Sequence, residues 1–228
     1  MESITIATPD GPMPAQHWLP ETGSGSGVLL VQEIFGVSRY VRARAAELAA
    51  LGYVVLAPEL FWRLGVDEIP NGPDMLQQGM SLSQWFDWSA GVKDGVAALT
   101  ALRDRPEVTG RVGILGFCFG GGLAFNLAAV DSPDALVAYY GSALPGLLDF
   151  APQVTAPSLH HFGTADGYLD AEKVDRISAA VSAHGARVVL HEGAKHAFDN
   201  RDFTGYDDAA SAAAWAQTTA FLAEHLQG

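Results

Sequence analysis

Short apolar runs alternate with segments of helical periodicity along most of the chain, and this alternation predicts the order of strands and helices. The predicted strands are 3–8, 15–19, 28–32, 53–58, 111–116, 135–141, 157–163 and 187–193. The predicted helices are 38–52, 85–103, 120–130, 170–185 and 207–226. A Pro/Gly turn separates the first two strands, which indicates a β-hairpin.

Strands that alternate with helices are typical of a mainly parallel sheet with helices on both faces. We therefore expect an α/β fold without a large lid, built as a single domain over residues 1–228. Two segments break the alternation: 22–27 (TGSGSG) predicts a flexible turn, and 59–83 predicts a long loop of functional importance. In such sheets the active site lies beyond the carboxyl ends of the strands.

Composition narrows the function classes. The chain has 13 Lys and Arg against 26 Asp and Glu, a formal charge of −13, so it has no basic surface for nucleic acid. Its one cysteine excludes an intramolecular disulfide and any zinc site that needs two thiolates.

We expect no metal, cofactor or membrane partner. No leader or membrane-spanning stretch is recognisable, so we expect a cytoplasmic protein, monomeric or a small homo-oligomer.

The single cysteine lies in Gly116-Phe117-Cys118-Phe119-Gly120, directly after a predicted strand and before a predicted helix. This context is that of a nucleophile elbow, in which glycines around the nucleophile permit a sharp turn. The helix that follows directs its N-terminus at the thiol, which favours the reactive thiolate. The alternative interpretation is a buried structural thiol.

Partners for a nucleophilic cysteine follow in the expected order of acid and then histidine. Asp166 comes after the strand 157–163, and His196 comes after the strand 187–193. His196 would accept the thiol proton and Asp166 would orient the imidazole. Asp170 competes with Asp166 but is better placed as a helix cap. The backbone N–H groups of Phe119 and Ile34 are the candidate oxyanion donors.

Six other histidines are present, and each has a structural interpretation. His160, His161 and His191 lie within predicted strands, where we expect core or solvated side chains. We expect His17, His184 and His225 at the surface. No two histidines have ligand spacing on a predicted helix, which argues against a metal site.

Four segments together resemble the dienelactone hydrolase family of the α/β-hydrolase fold. They are Q-E-I-F-G (32–36), G-F-C-F-G-G (116–121), G-T-A-D (163–166) and G-A-K-H-A-F (193–198). The resemblance implies a Cys-His-Asp triad of Cys118, His196 and Asp166. It also implies that Glu33 approaches the thiol and takes part in its ionisation.

The chain departs from the family pattern where arginines hold the substrate carboxylate. The archetypes have Ser directly after the catalytic histidine and Arg four residues after it, and this chain has Ala197 and Asn200 there. The segment 73–84 also lacks the expected arginine. Arg63 and Arg201 are the candidate substitutes, and Phe35 and Trp85 are candidate apolar contacts to substrate.

These residues predict a hydrolase of activated esters or lactones that works through a thioester. A cysteine nucleophile suits substrates whose leaving group is already good, because thiolate is itself easily expelled from a tetrahedral intermediate. Two alternatives stay open at this point. One is a ligand-binding or redox-sensing protein without catalysis, and the other is an amide or peptide hydrolase.

Overall fold

The computed structural model describes residues 1–227, which fold as two compact units, Met1–Val112 and from Gly113 onwards. Residues 1–227 contain eight strands and six α-helices. The strands are β1 (Glu2–Thr8), β2 (Gly11–Trp18), β3 (Gly25–Val31), β4 (Val54–Pro58), β5 (Val108–Phe117), β6 (Ala135–Tyr139), β7 (Ser158–Gly163) and β8 (Arg187–His191). The helices are α1 (Arg39–Ala50), α2 (Met75–Trp85), α3 (Trp88–Arg103), α4 (Phe119–Val130), α5 (Ala171–Ser182) and α6 (Asp208–Leu226). Short 3-10 helices cover Trp62–Leu64, Leu144–Gly146 and Leu148–Gln153. From β3 onwards strands and α-helices alternate, except that α3 directly follows α2 and that β7 follows β6 with only 3-10 helices between them.

In the first unit the strands are ordered β1-β2-β4-β3. β1 and β2 form the predicted antiparallel hairpin, β2 also pairs antiparallel with β4, and β3 pairs parallel with β4. All five residues of β4 are buried, as expected for a strand covered on both sides. Ser38 caps α1 by accepting a hydrogen bond from the N–H of Val41.

In the second unit the order is β5-β6-β7-β8, and every neighbouring pair is parallel. β6 and β7 are completely buried. The aromatic side chains of Phe117, Phe125, Tyr139 and Phe162 fill the core around them. Because the carboxyl ends of parallel strands share one edge, the loops after β5, β6, β7 and β8 gather there.

Helix caps explain where the later helices begin. Asp170 accepts a hydrogen bond from the N–H of Lys173 and caps α5, as the sequence predicts. Asp207 caps α6 in the same way through Ala210, and Asp87 caps α3 through Ala90. The predicted helix 85–103 therefore begins later, at Trp88.

Two segments predicted as irregular contain regular structure. Residues 59–83 were expected to form a loop, yet α2 begins at Met75, and its Gly79 packs against Ile34 and Phe35. A Cβ at Gly79 would lie 3.0 Å from side-chain atoms of both residues, so glycine at this position lets α2 approach them closely. Likewise, the expected turn 22–27 ends where β3 begins at Gly25.

His17 was expected at the surface and is buried, with 1% of its surface exposed. The reason is strand alternation, because Met13, Ala15 and His17 are all buried at every second position of β2. His184 is exposed, as expected. The expectation of a single domain over residues 1–228 stays a prediction.

Within residues 1–227, no helix combines the length and the apolar character needed to cross a bilayer.

Candidate active site

The cysteine lies on a strained turn between β5 and α4. Cys118 has φ 52° and ψ −115°, a conformation that non-glycine residues rarely adopt. Its N–H donates to the carbonyl of Tyr139 at 3.0 Å, and its carbonyl accepts from the N–H of Gly121, also at 3.0 Å. These bonds hold the strained residue against the end of β6 and the first turn of α4.

The glycines around the cysteine are required by close backbone contacts. A Cβ at Gly116 would lie 2.1 Å from the carbonyl oxygen of Gly120. A Cβ at Gly121 would lie 2.8 Å from the carbonyl oxygen of Tyr139. Side chains at these positions would force the turn open, so Gly116 and Gly121 in the Gly-x-Cys-x-Gly-Gly pattern have a direct steric cause.

Asp166 lies in the turn after β7 and is held by three contacts. Its Oδ1 accepts hydrogen bonds from the N–H groups of Tyr168 at 2.7 Å and Leu169 at 3.0 Å. Its Oδ2 lies 2.7 Å from His196 Nδ1. One carboxylate oxygen is therefore fixed by the backbone while the other faces the imidazole.

The loop that carries His196 packs directly against the Asp166 loop. The N–H of Ala165 donates to the carbonyl of Ala194 at 3.0 Å, and a Cβ at Gly163 would lie 2.2 Å from that same oxygen. His196 Nε2 lies 3.1 Å from Cys118 Sγ. The structure thus brings together Cys118, His196 and Asp166, which are separated by up to 78 residues in the chain.

The three side chains are almost withdrawn from solvent, with 8% of Cys118, 6% of Asp166 and 8% of His196 exposed. Burial alone lowers the pKa of His196. The negative charge of the Cys118 thiolate and the hydrogen bond to Asp166 outweigh this effect and raise that pKa to about 10. The surroundings therefore favour the protonated form of His196, whose ring lies between the Asp166 carboxylate and the Cys118 sulfur.

The segment that contains Glu33, Ile34 and Phe35 lies in the first unit and is buried. The N–H of Gly36 donates to the carbonyl of Glu33 at 3.3 Å, which closes a tight turn. Gly36 has φ 78°, and a Cβ there would lie 2.1 Å from the carbonyl oxygen of Asp67. The backbone of this turn is thus closely packed, and a side chain at position 36 would not fit.

The remaining predicted site residues have different environments. The N–H of Phe119 is the first of α4, directly after the cysteine. Arg63 donates to the buried carboxylate of Asp94 and to Asp10, and its guanidinium lies over the ring of Trp62. These contacts raise the pKa of Arg63, the hydrogen bond to Asp94 being the largest cause.

The two other predicted substrate contacts are open to solvent. Trp85 is 76% exposed at the end of α2, where it borders a cavity of about 200 Å³ together with Leu60, Arg63 and Phe86. Arg201 is exposed and contacts the hydroxyl of Tyr206.

Sequence reasoning missed three residues near the triad. The rings of Tyr140 and Tyr168 meet the His196 imidazole edge to face, at centroid distances of 5.1 Å and 4.9 Å. Ser142 Oγ lies 3.8 Å from Cys118 Sγ. Tyr140 and Ser142 directly follow β6, so the rule that sites collect at carboxyl ends of strands could have found them.

The competing histidines form a separate buried group. His161 lies 3.1 Å from His191 and 3.1 Å from the hydroxyl of Thr218, which in turn lies 2.6 Å from the Tyr139 hydroxyl. Burial lowers the pKa of His161 to about 3 and that of His160 to about 4. These rings are therefore neutral core components. No group of three His, Cys, Asp or Glu side chains among residues 1–227 could hold a metal ion.

The chain is similar in sequence to known proteins over most of its length. The profile of the dienelactone hydrolase family matches residues 13–226. Carboxymethylenebutenolidase 1 of Cupriavidus pinatubonensis is 33% identical, over 90% of this chain and 88% of its own length. The carboxymethylenebutenolidase of Pseudomonas putida is 34% identical, over 97% of this chain and 96% of its own length.

Solved structures show the same architecture. A crystallised protein from Klebsiella pneumoniae, classed with the dienelactone hydrolases, superimposes with a TM-score of 0.87 at 28% identity and covers 98% of both chains. The dienelactone hydrolase of Anabaena variabilis superimposes with a TM-score of 0.73 at 20% identity, over 99% of this chain and 97% of its own. The chain belongs to the dienelactone hydrolase family, a family of hydrolases with the α/β-hydrolase fold.

Proposed function

We propose that this protein hydrolyses activated carboxylic esters or lactones by way of a thioester on Cys118. The observation that carries the proposal is the position of His196, whose Nε2 lies 3.1 Å from Cys118 Sγ and whose Nδ1 lies 2.7 Å from Asp166 Oδ2. This is the chain of contacts that nucleophilic catalysis requires, with the base oriented by a third group. Relatives named carboxymethylenebutenolidase support a lactone substrate.

The first half-reaction forms the thioester. The Cys118 thiolate attacks the carbonyl carbon, and the carbonyl π electrons move to oxygen to give a tetrahedral oxyanion. As the oxyanion collapses, the bond between the acyl carbon and the leaving oxygen breaks. The leaving oxygen takes the Nε2 proton of the His196 imidazolium and departs as an enol or phenol, which leaves the imidazole neutral.

The second half-reaction restores the enzyme. Neutral His196 removes a proton from water, and the resulting hydroxide attacks the thioester carbonyl. The carbon–sulfur bond then breaks, which releases the carboxylic acid and regenerates the thiolate beside the imidazolium. Asp166 keeps the imidazole in the same tautomer through both halves, because its Oδ2 accepts from Nδ1.

Oxyanion stabilisation is assigned to backbone N–H groups. We propose Phe119, the first residue of α4, where the helix dipole adds to the hydrogen bond. Ile34 is proposed as the second donor, and Glu33 as a group that influences thiol ionisation. The closely packed turn that holds both residues suits them to such preorganised roles.

For the substrate, we propose a neutral or weakly charged enol lactone or aryl ester. Arg63 is engaged by Asp94 and Asp10, which satisfies its charge within the protein. The chain has Asn200 at a position where the archetypes have an arginine, and its formal charge of −13 disfavours anions.

A panel of neutral lactones, dienelactone and aryl esters, assayed with the wild type and Cys118→Ala, tests the proposal. We expect neutral substrates to have the higher kcat/KM and Cys118→Ala to lose at least about a thousandfold. Mass spectrometry of the quenched wild type should detect an acyl group on Cys118. Full activity of Cys118→Ala would overturn the thioester mechanism. Absence of turnover on every substrate would favour a ligand-binding or redox-sensing protein.

A further inference from the structure

The thiol of Cys118 has two polar neighbours in the second unit. One is His196 Nε2 at 3.1 Å, and the other is Ser142 Oγ at 3.8 Å. The second distance lies at the long end of the range for hydrogen bonds that involve sulfur. Ser142 is exposed to solvent, and the thiol is the hydrogen-bond partner of its hydroxyl among residues 1–227.

The backbone fixes this neighbour in place. The N–H of Ser142 donates to the carbonyl of Cys118 at 3.2 Å, and the N–H of Cys118 donates to the carbonyl of Tyr139 at 3.0 Å. The turn between these residues is tight, because Tyr140 has φ 36° and a Cβ at Gly141 would lie 3.1 Å from the backbone of Gly121. These two backbone bonds thus hold the Ser142 backbone beside Cys118, within reach of a contact between hydroxyl and thiol.

A hydroxyl can form a hydrogen bond with the sulfur whether the sulfur is a thiol or a thiolate. It accepts the S–H proton of the neutral thiol, and after rotation it donates its own proton to the thiolate. Donation to the charged sulfur is the stronger of the two contacts, because hydrogen bonds to ionised groups exceed neutral ones. A hydroxyl at this position therefore stabilises the thiolate relative to the thiol.

We infer that Ser142 is a further catalytic residue, which donates a hydrogen bond to the Cys118 thiolate and increases the fraction of nucleophilic sulfur. On ionisation the thiol proton moves to His196 Nε2, and the Ser142 O–H turns toward the negative sulfur. When the thioester forms, the sulfur loses its charge and the hydroxyl is released from this contact. The role in turnover rests on the proposed function, whereas the contact with the thiolate does not.

Iodoacetamide alkylation measures this contact directly, because Cys118 is the chain's only cysteine. The rate is followed from pH 4 to pH 10 in the wild type, Ser142→Ala, Ser142→Thr and the control Ser132→Ala, whose exposed serine lies after α4. On the rising limb of the pH profile, we expect Ser142→Ala to react about three- to tenfold more slowly. Its midpoint should move to higher pH. Ser142→Thr, which keeps the hydroxyl, and Ser132→Ala should follow the wild-type profile.

The same variants are assayed for aryl ester hydrolysis beside Cys118→Ala, with circular dichroism to confirm folding. A Ser142→Ala alkylation profile that overlays the wild type would overturn the inference, even if Cys118→Ala is inactive. A shifted profile together with full hydrolysis by Cys118→Ala would support the contact and overturn the proposed function instead. A Ser142→Thr profile that matches Ser142→Ala would also contradict the inference, because it would show that the hydroxyl is not responsible.

Discussion

At the scale of single residues, the chemistry of the site depends on how two neighbouring acids are used. Asp166 and Asp170 are four positions apart, and both accept backbone N–H groups. Asp166 is buried and its second oxygen faces His196, whereas Asp170 is solvent-exposed and caps α5 while pairing with Lys173. The same residue type therefore contacts the His196 imidazole at one position and caps a helix at the other.

We predict that Asp166→Asn lowers kcat for ester hydrolysis by about a hundredfold to ten-thousandfold, because an amide neither fixes the imidazole tautomer nor stabilises the imidazolium. The pKa of His196, raised to about 10 in part by Asp166, should fall in this variant. The thiolate would then need higher pH to form, so the pH profile of alkylation should move upward.

Asp170→Asn is the matched control, because asparagine caps a helix about as well as aspartate. Steady-state kinetics and iodoacetamide alkylation of both variants provide the test. Equal activity of Asp166→Asn and the wild type would exclude Asp166 from the triad.

At the scale of elements, much of the site follows from local sequence rules. The position of Cys118 between a predicted strand and a predicted helix was enough to single it out. Asp166 and His196 were found because each directly follows a later predicted strand, so these predictions needed only residues close in the chain. The start of α2 could not be predicted in this way. Gly79 disfavours a helix by local propensity, and its close approach to Ile34 and Phe35 is a tertiary contact that the local sequence does not reveal. Ser142 was missed as well, although its position shortly after β6 marks it as a candidate, because active sites collect at the carboxyl ends of parallel strands.

Packing between elements also bears on Arg63, a candidate for substrate binding. Arg63 lies in a short 3-10 helix, and its guanidinium reaches the carboxylate of Asp94 on α3. Asp94 has no exposed surface and also accepts a hydrogen bond from Trp62 Nε1 at 2.9 Å. We predict that Arg63→Ala destabilises the protein by about 2 kcal/mol, because a buried carboxylate loses its charged partner. Urea unfolding measures this loss.

Arg187→Ala, which removes an exposed ion pair with Glu224, is the control and should change stability little. The same Arg63→Ala protein is assayed with dienelactone and a neutral lactone. Selective loss of activity on the anion without loss of stability would show that Arg63 binds the substrate carboxylate instead.

At the scale of the whole molecule, buried histidines link stability to pH. His160 has no exposed surface, and its ring contacts the rings of Phe125 and Phe162. Neither of its nitrogens has a hydrogen-bond partner among residues 1–227. Burial lowers its pKa from 6.5 to about 4. The unfolded chain therefore binds a proton near pH 6.5 that the folded protein takes up only near pH 4. The titration of His160 therefore leaves the free energy of unfolding unchanged above about pH 6.5 and lowers it progressively as the pH falls from 6.5 toward 4.

From this shift we predict that the titration of His160 alone lowers the free energy of unfolding by about 2 kcal/mol when the pH is reduced from 7.5 to 5. His160→Phe should lessen the loss of stability over this range by that amount, because phenylalanine does not titrate. It should also stabilise the protein at pH 7.5, since two unpaired buried nitrogens are removed. Urea unfolding at both pH values tests this, with His160→Leu as a smaller replacement in case phenylalanine overpacks the core. The exposed His184→Ala is the control and should keep the wild-type difference. If both His160 variants lose as much stability on acidification as the wild type, the proton uptake responsible must occur elsewhere, and the buried pair His161 and His191 becomes the next group to replace.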